Sequence, residues 1–98
     1  MVDLNYPTNE GLMGKTSYFF YMELVIISPE GELLKEKAER VTLPGSMGAF
    51  SVLKSHAPLV STLEKGEIIY IQNKKEKNYD IEGGVAIVEK DIVRVMVE

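Results

Sequence analysis

The chain has no cysteine, no tryptophan and a single histidine among its 98 residues. Without cysteine, disulfides, thiolate metal sites and cysteine nucleophiles are excluded. One imidazole cannot build the histidine cluster of a transition-metal centre. Positive charge is also scarce, with 11 Lys and Arg against 15 Asp and Glu and a net charge of −4. Nucleic-acid binding needs a basic stripe to neutralise phosphates, and the sequence offers none. Its one basic concentration, "KKEK" at residues 74–77, lies between two apolar runs and reads as a polar hairpin tip. Long hydrophobic stretches are missing too. The longest apolar run, "YFFYMELVII" at residues 18–27, is broken by Glu23 and is about half the ~20 residues a membrane helix needs. It lacks the charged leader and small-residue cleavage site of a signal peptide. Neither nucleic-acid binding nor direct membrane insertion is expected.

What is present is an ordinary globular composition, 45% hydrophobic and 27% charged, in a chain long enough for one domain with one core. Residues 1–21 carry no sustained period of 2 or 3.6 and end in the aromatic cluster Tyr18, Phe19, Phe20 and Tyr21. They read as an irregular leader or a start-site extension, with Met22 as the alternative start. Residues 22–98 read as strands and turns. "ELVIIS" is short and β-branched, and "SPEG" closes it as a turn with Pro second and Gly fourth. "EIIYIQ" and "NYDIE" flank the "NKKEK" tip, and in "NYDIE" Tyr79 and Ile81 alternate with Asn78, Asp80 and Glu82. After Gly83-Gly84, "VAIVEKDIVRVMVE" forms a second hairpin turning at Lys90-Asp91, with Val93, Val95 and Val97 opposite Arg94. Only "ELLKEKAER" competes as a helix on propensity, and nine residues is marginal for one. The expected fold is all-β, a two-sheet β-sandwich of short, mainly antiparallel strands.

The stretch "LPGSMGAFSVLKSHAPLV", residues 43–60, holds the features that suggest chemistry. A phosphate-binding loop needs G-x-x-x-x-G-K-[ST] between a strand and a helix. Gly45 and Gly48 have neither that spacing nor the lysine, so they read as turn glycines. A catalytic triad would need His56 to meet a serine and an orienting acid. Ser51, Ser55 and Ser61 are near in sequence, but none sits in a G-x-S-x-G elbow. His56 therefore reads either as a ring bonded to backbone beside a turn or as a contact for a protein partner. The acid pairs Glu30/Glu32 and Asp80/Glu82 read as solvated side chains. On residues alone this is a binding or assembly module, with a hydrolase built on His56 as the weakest reading.

The order of these motifs resembles the epsilon subunit of bacterial rotary ATP synthases, called delta in mitochondria. The resemblance rests on L-P-G-x-x-G-x-F-x-V-L-x-x-H-A-P-L from Leu43 to Leu59, preceded by "SPEGELL" and followed by Lys65-Gly66 and Gly83-Gly84. It implies a non-catalytic central-stalk domain of the proton-translocating enzyme. Such a domain docks the gamma subunit on the c ring, couples rotation to ATP synthesis, and sits peripherally on the cytoplasmic face of the bacterial membrane. Carried over by position, Ser46, Met47, Gly48 and Ala49 face the c ring, and Ser28, His56 and Ser61 face gamma. Phe50, Val52 and Leu59 match core positions. Family members often bear acids in the ring-facing loop, where this chain has Met47 and Ala49. Many also continue into a helical hairpin that in some binds ATP. This sequence ends at Glu98, so the resemblance implies no ATP binding, no cofactor and a monomer in isolation. The alternative is a small β-sandwich adaptor or ligand-binding module unrelated to ATP synthase.

Overall fold

The computed structural model describes residues 21–98, so the leader expected over residues 1–21 lies outside it apart from Tyr21. The strands are β1 (Met22–Ser28), β2 (Gly31–Ala38), β3 (Arg40–Leu43), β4 (Phe50–Leu53), β5 (Leu59–Leu63), β6 (Gly66–Gln72), β7 (Lys75–Ile81), β8 (Gly84–Glu89) and β9 (Ile92–Val97). They form a five-stranded sheet in the order β2-β1-β9-β8-β5 and a four-stranded sheet in the order β4-β3-β6-β7. Every pairing is antiparallel except β1 with β9. The expected two-sheet sandwich is what the chain forms.

Period-2 alternation builds the core. Met22, Leu24 and Ile26 of β1 and Val93 and Val95 of β9 turn inward, meeting Val41, Leu43, Val52, Ile68 and Tyr70 from the other sheet. Each fully buried aliphatic chain contributes about 1.5–3 kcal/mol. Val52 is fully buried, and Phe50 and Leu59 pack half-buried against the cluster, as their positions suggest. In "NYDIE" Ile81 is buried and Tyr79 half-buried, while Asn78, Asp80 and Glu82 are exposed. The segment "ELLKEKA" resolves as strand β2 because it pairs with β1 from Ala38 to Gly31. That ladder outweighs its helical propensity, which amounts to only tenths of a kcal/mol per residue.

The turns follow the backbone chemistry. Asn73-Lys74 and Lys90-Asp91 are two-residue turns with φ of 53°, 64°, 53° and 61°, the mirror-image type whose twist matches the flanking strands. The "NKKEK" tip is therefore shorter than its charge run suggests. Only Asn73 and Lys74 lie outside strands, and pairing resumes at Gln72 with Lys75. Polar ties also cross between the sheets. Gln72 Nε2 donates to Glu36 Oε1 at 2.7 Å and to the Lys37 carbonyl at 2.9 Å, and within the four-stranded sheet Lys77 Nζ on β7 holds Gln72 by donating to its Oε1 at 2.7 Å. Beneath them, burial pushes the Tyr70 phenol above its ordinary pKa, and the Glu36 charge adds to that effect.

Candidate functional site

The connection between β3 and β4 is held in place at its base and exposed at its tip. Gly45 bridges to Leu63, Ser46 N donates to the Thr62 carbonyl at 3.0 Å, and Glu64 N donates to that of Pro44 at 2.9 Å. These bonds tie a loop of the four-stranded sheet to the edge of the other sheet. Gly48 N closes the turn onto the Gly45 carbonyl at 3.0 Å. Gly45 is buried, and a Cβ there would lie 2.7 Å from the Gly48 carbonyl and 2.8 Å from the Phe50 ring. Glycine is thus required for Phe50 to fold under the loop. Above this base Ser46, Met47, Gly48 and Ala49 are all exposed, Met47 completely so. No charged group occupies the loop, so its surface chemistry is that of a flexible thioether.

His56 lies at the opposite end of the sandwich, in the connection from β4 to β5. Its Nδ1 is 2.7 Å from the Ala57 carbonyl and its backbone N donates to that of Leu53 at 3.1 Å, yet the residue is exposed. Beside it Ser55 adopts a φ of 67°. The Ser55 N–H donates to Asp91 Oδ1 at 2.6 Å, and Lys54 Nζ donates to Asp91 Oδ2 at 2.9 Å. The Ser55 N–H first, and then Lys54, hold the Asp91 carboxyl below its ordinary pKa. A carboxyl whose folded-state pKa is depressed stabilises the fold above its unfolded value and loses that contribution as pH falls through the folded value. The Ser55 amide proton, followed by NMR, should therefore keep its bonded shift until the pH is below the usual aspartate range. A transition at or above that range would contradict the clamp.

Structure separates the residues that the resemblance groups together. The register runs from Leu63 to Gly84, from Gly84 to Val97, and on beside Ser28, which places Ser28 at the end carrying the Met47 loop. Ser28 Oγ accepts from the Glu30 N–H at 3.2 Å within the β1–β2 turn. Ser61 is half-buried on the inward side of β5, opposite Ala86, and its hydroxyl donates to the Thr62 carbonyl at 3.0 Å. Ser28 and His56 lie at opposite ends of the five-stranded sheet, whose strand β1 is about 20 Å long at ~3.3 Å per residue.

A surface that sequence reading missed connects the two ends. The outward face of the five-stranded sheet carries Val25 and Ile27 on β1, Ile92 and Met96 on β9, Val85 and Ile87 on β8, and Val60 on β5. Val60 is 71% exposed and Met96 39%. Arg94 stands among them, flanked by Val25 and Ile87. Its signal was the unbroken runs "LVII" and "VAIV", since strands apolar on both faces lose their alternation. An outward sheet face that is apolar apart from one central arginine is the kind of surface on which a partner can dock.

A family model, ATP synthase, Delta/Epsilon chain, beta-sandwich domain, matches residues 21–98. The chain belongs to this family. The ATP synthase epsilon chain of Desulfitobacterium hafniense is 41% identical over 75 residues, covering 76% of this chain and 57% of the relative. That of Caulobacter vibrioides is 34% identical over 73 residues, covering 74% of this chain and 85% of the relative. The delta/epsilon-type chain described here thus spans little more than half the length of the first relative. Its fold is shared with a chain in the mitochondrial ATP synthase of Euglena gracilis, solved as OSCP/F1/c-ring, at a TM-score of 0.74 and 21% identity, covering 99% of this chain and 58% of that one. A chain in the central stalk/c-ring structure from Tetrahymena thermophila gives a TM-score of 0.63 at 17% identity, covering 78% and 62%.

Proposed function

We propose that this delta/epsilon-type domain is a non-catalytic central-stalk element of a rotary, proton-translocating ATP synthase. It docks gamma on the c ring and transmits rotation, peripherally on the cytoplasmic face of a bacterial membrane. The observation that carries the reading is that one domain of this family exposes an uncharged loop and, separately, an apolar sheet face. The loop Ser46, Met47, Gly48 and Ala49 is the ring contact. The apolar sheet face, with Ser28 and His56 at its ends, is the gamma contact, and Ser61, turned inward on β5, would meet gamma only over the open edge of that strand. One partner lying along that face would reach both Ser28 and His56, which reconciles their separation. Binding of the purified chain to gamma and to detergent-solubilised c ring, each measured alone, tests the assignment. Failure to bind either would sink it.

The uncharged loop makes a further prediction. An apolar contact through Met47 is weakly screened by salt, whereas a carboxylate meeting a cation weakens as ionic strength rises. Ring binding should therefore change less than about threefold between 0.05 and 0.5 M salt. Met47→Glu should make it salt-sensitive in either direction. Release of the wild-type chain by salt as readily as the Met47→Glu variant would refute an apolar contact.

A further inference from the structure

The connection bearing His56 has little to hold it. Residues 54–58 are all exposed, so no buried side chain anchors them. The two bonds of His56, to Leu53 and Ala57, shape the loop from within but do not fix its direction relative to the sheets. Among the described residues, its hydrogen bonds beyond this stretch and the adjoining strand go to one side chain, Asp91. That carboxylate comes from the β8–β9 turn of the other sheet, 36 residues away in sequence from Ser55. It receives the N–H of the residue that precedes His56. Ser55 is also the loop's residue in the left-handed region, a conformation that a β-carbon disfavours and that must be held from outside. The turn carrying Asp91 is itself fixed, because the Asp91 carbonyl accepts from Glu23 N at 3.0 Å at the start of β1.

We infer that Asp91 is a positioning residue for docking. By gripping Ser55 N and Lys54 Nζ it sets the direction in which His56 is presented to gamma. The inference rests on the reading that His56 meets gamma. An exposed loop that is already ordered binds without a further loss of conformational freedom, and releasing it restores that cost. The effect of Asp91 on binding must then pass through His56.

The test uses the whole chain and purified gamma in a double-mutant cycle. Asp91→Gly removes the carboxylate while tolerating the φ of 61° at that turn. Asp91→Asn keeps the turn and one acceptor for Ser55 N. Asp91→Gly should weaken gamma binding about tenfold, and Asp91→Asn should recover part of that loss. In a His56→Ala background, Asp91→Gly should add less than about twofold, because coupled residues are not additive. Amide exchange at Ser55 should rise in Asp91→Gly and not in His56→Ala. Three results would overturn the inference. One is an equal loss from Asp91→Gly with and without His56, which would mark a general stability effect. Another is wild-type binding by Asp91→Gly when His56→Ala binds weakly, which would remove Asp91 alone. The third is wild-type binding by His56→Ala, which would remove the docking role of the loop itself.

Discussion

Gly84→Ala is expected to lower stability by about 3 kcal/mol or more, from overpacking combined with backbone strain. Gly84 opens β8, paired with Leu63 of β5 on one side and Val97 of β9 on the other. Its φ is 157°, and a Cβ there would overlap the carbonyl oxygen of Met96. That carbonyl cannot simply retreat. Met96 belongs to β9, whose neighbours β8 and β1 hold it on both sides. Relief would have to displace the middle of the sheet. A domain this small has about 5–15 kcal/mol in total, so the variant should lose a large share of it. Gly83 is the internal control. Its φ is 146° but its nearest contact, the Leu63 carbonyl, is at 3.4 Å, so Gly83→Ala should show the backbone strain without the overlap and cost less. Urea denaturation of both variants checks this. Equal midpoints for the two would show that steric overlap is not what selects glycine at position 84.

Val60→Glu is expected to weaken gamma binding about 100-fold while leaving stability within about 0.5 kcal/mol of wild type. The two effects separate because of where Val60 sits. At 71% exposure on β5 its side chain makes little of the fold's buried surface, and exposed substitutions cost little. In the sheet it lies opposite Ile87, within the apolar face that the proposal assigns to gamma. Docking would strip water from the new carboxylate among aliphatic neighbours. Burying a charge without a partner costs several kcal/mol, and about 2.7 kcal/mol corresponds to 100-fold in affinity. Met96→Glu, on the same face, should behave alike. Leu53 is the contrast, because it is 55% exposed but belongs to β4 in the other sheet, and Leu53→Glu should bind gamma normally. If Val60→Glu and Leu53→Glu bind equally well, the five-stranded face is not the docking surface.

Much of the architecture was legible because it is local. The inward set Val93, Val95 and Val97 opposite Arg94, and Tyr79 with Ile81 opposite Asp80, follow from the two-residue repeat of a strand. The turn at Lys90-Asp91 was readable from a polar pair between apolar runs. β4 and β5 were not assigned from the sequence, since four and five residues between glycine and proline turns carry too little pattern. The candidate site divides in the same way. Gly45 and the exposed tip at Met47 could be placed on a turn by spacing, but the bonds from Ser46 to Thr62 and from Glu64 to Pro44 join segments that only the sandwich brings together.

The sequence by itself determined an all-β domain with turns at Ser28–Gly31, near Gly45 and at Lys90-Asp91, no cysteine or histidine cluster for metal chemistry, and a motif order that resembles the delta/epsilon family. These depend on residue type and on periods of two, which neighbours along the chain suffice to express. Tertiary structure alone decided that Ser28 and His56 lie at opposite ends, that the second apolar face of β1, β8 and β9 forms one continuous surface, and that Asp91 grips Ser55. Each is a relation between strands distant in sequence. Which side chains meet there is set by strand order and register, and strand order is a property of the packed sheets.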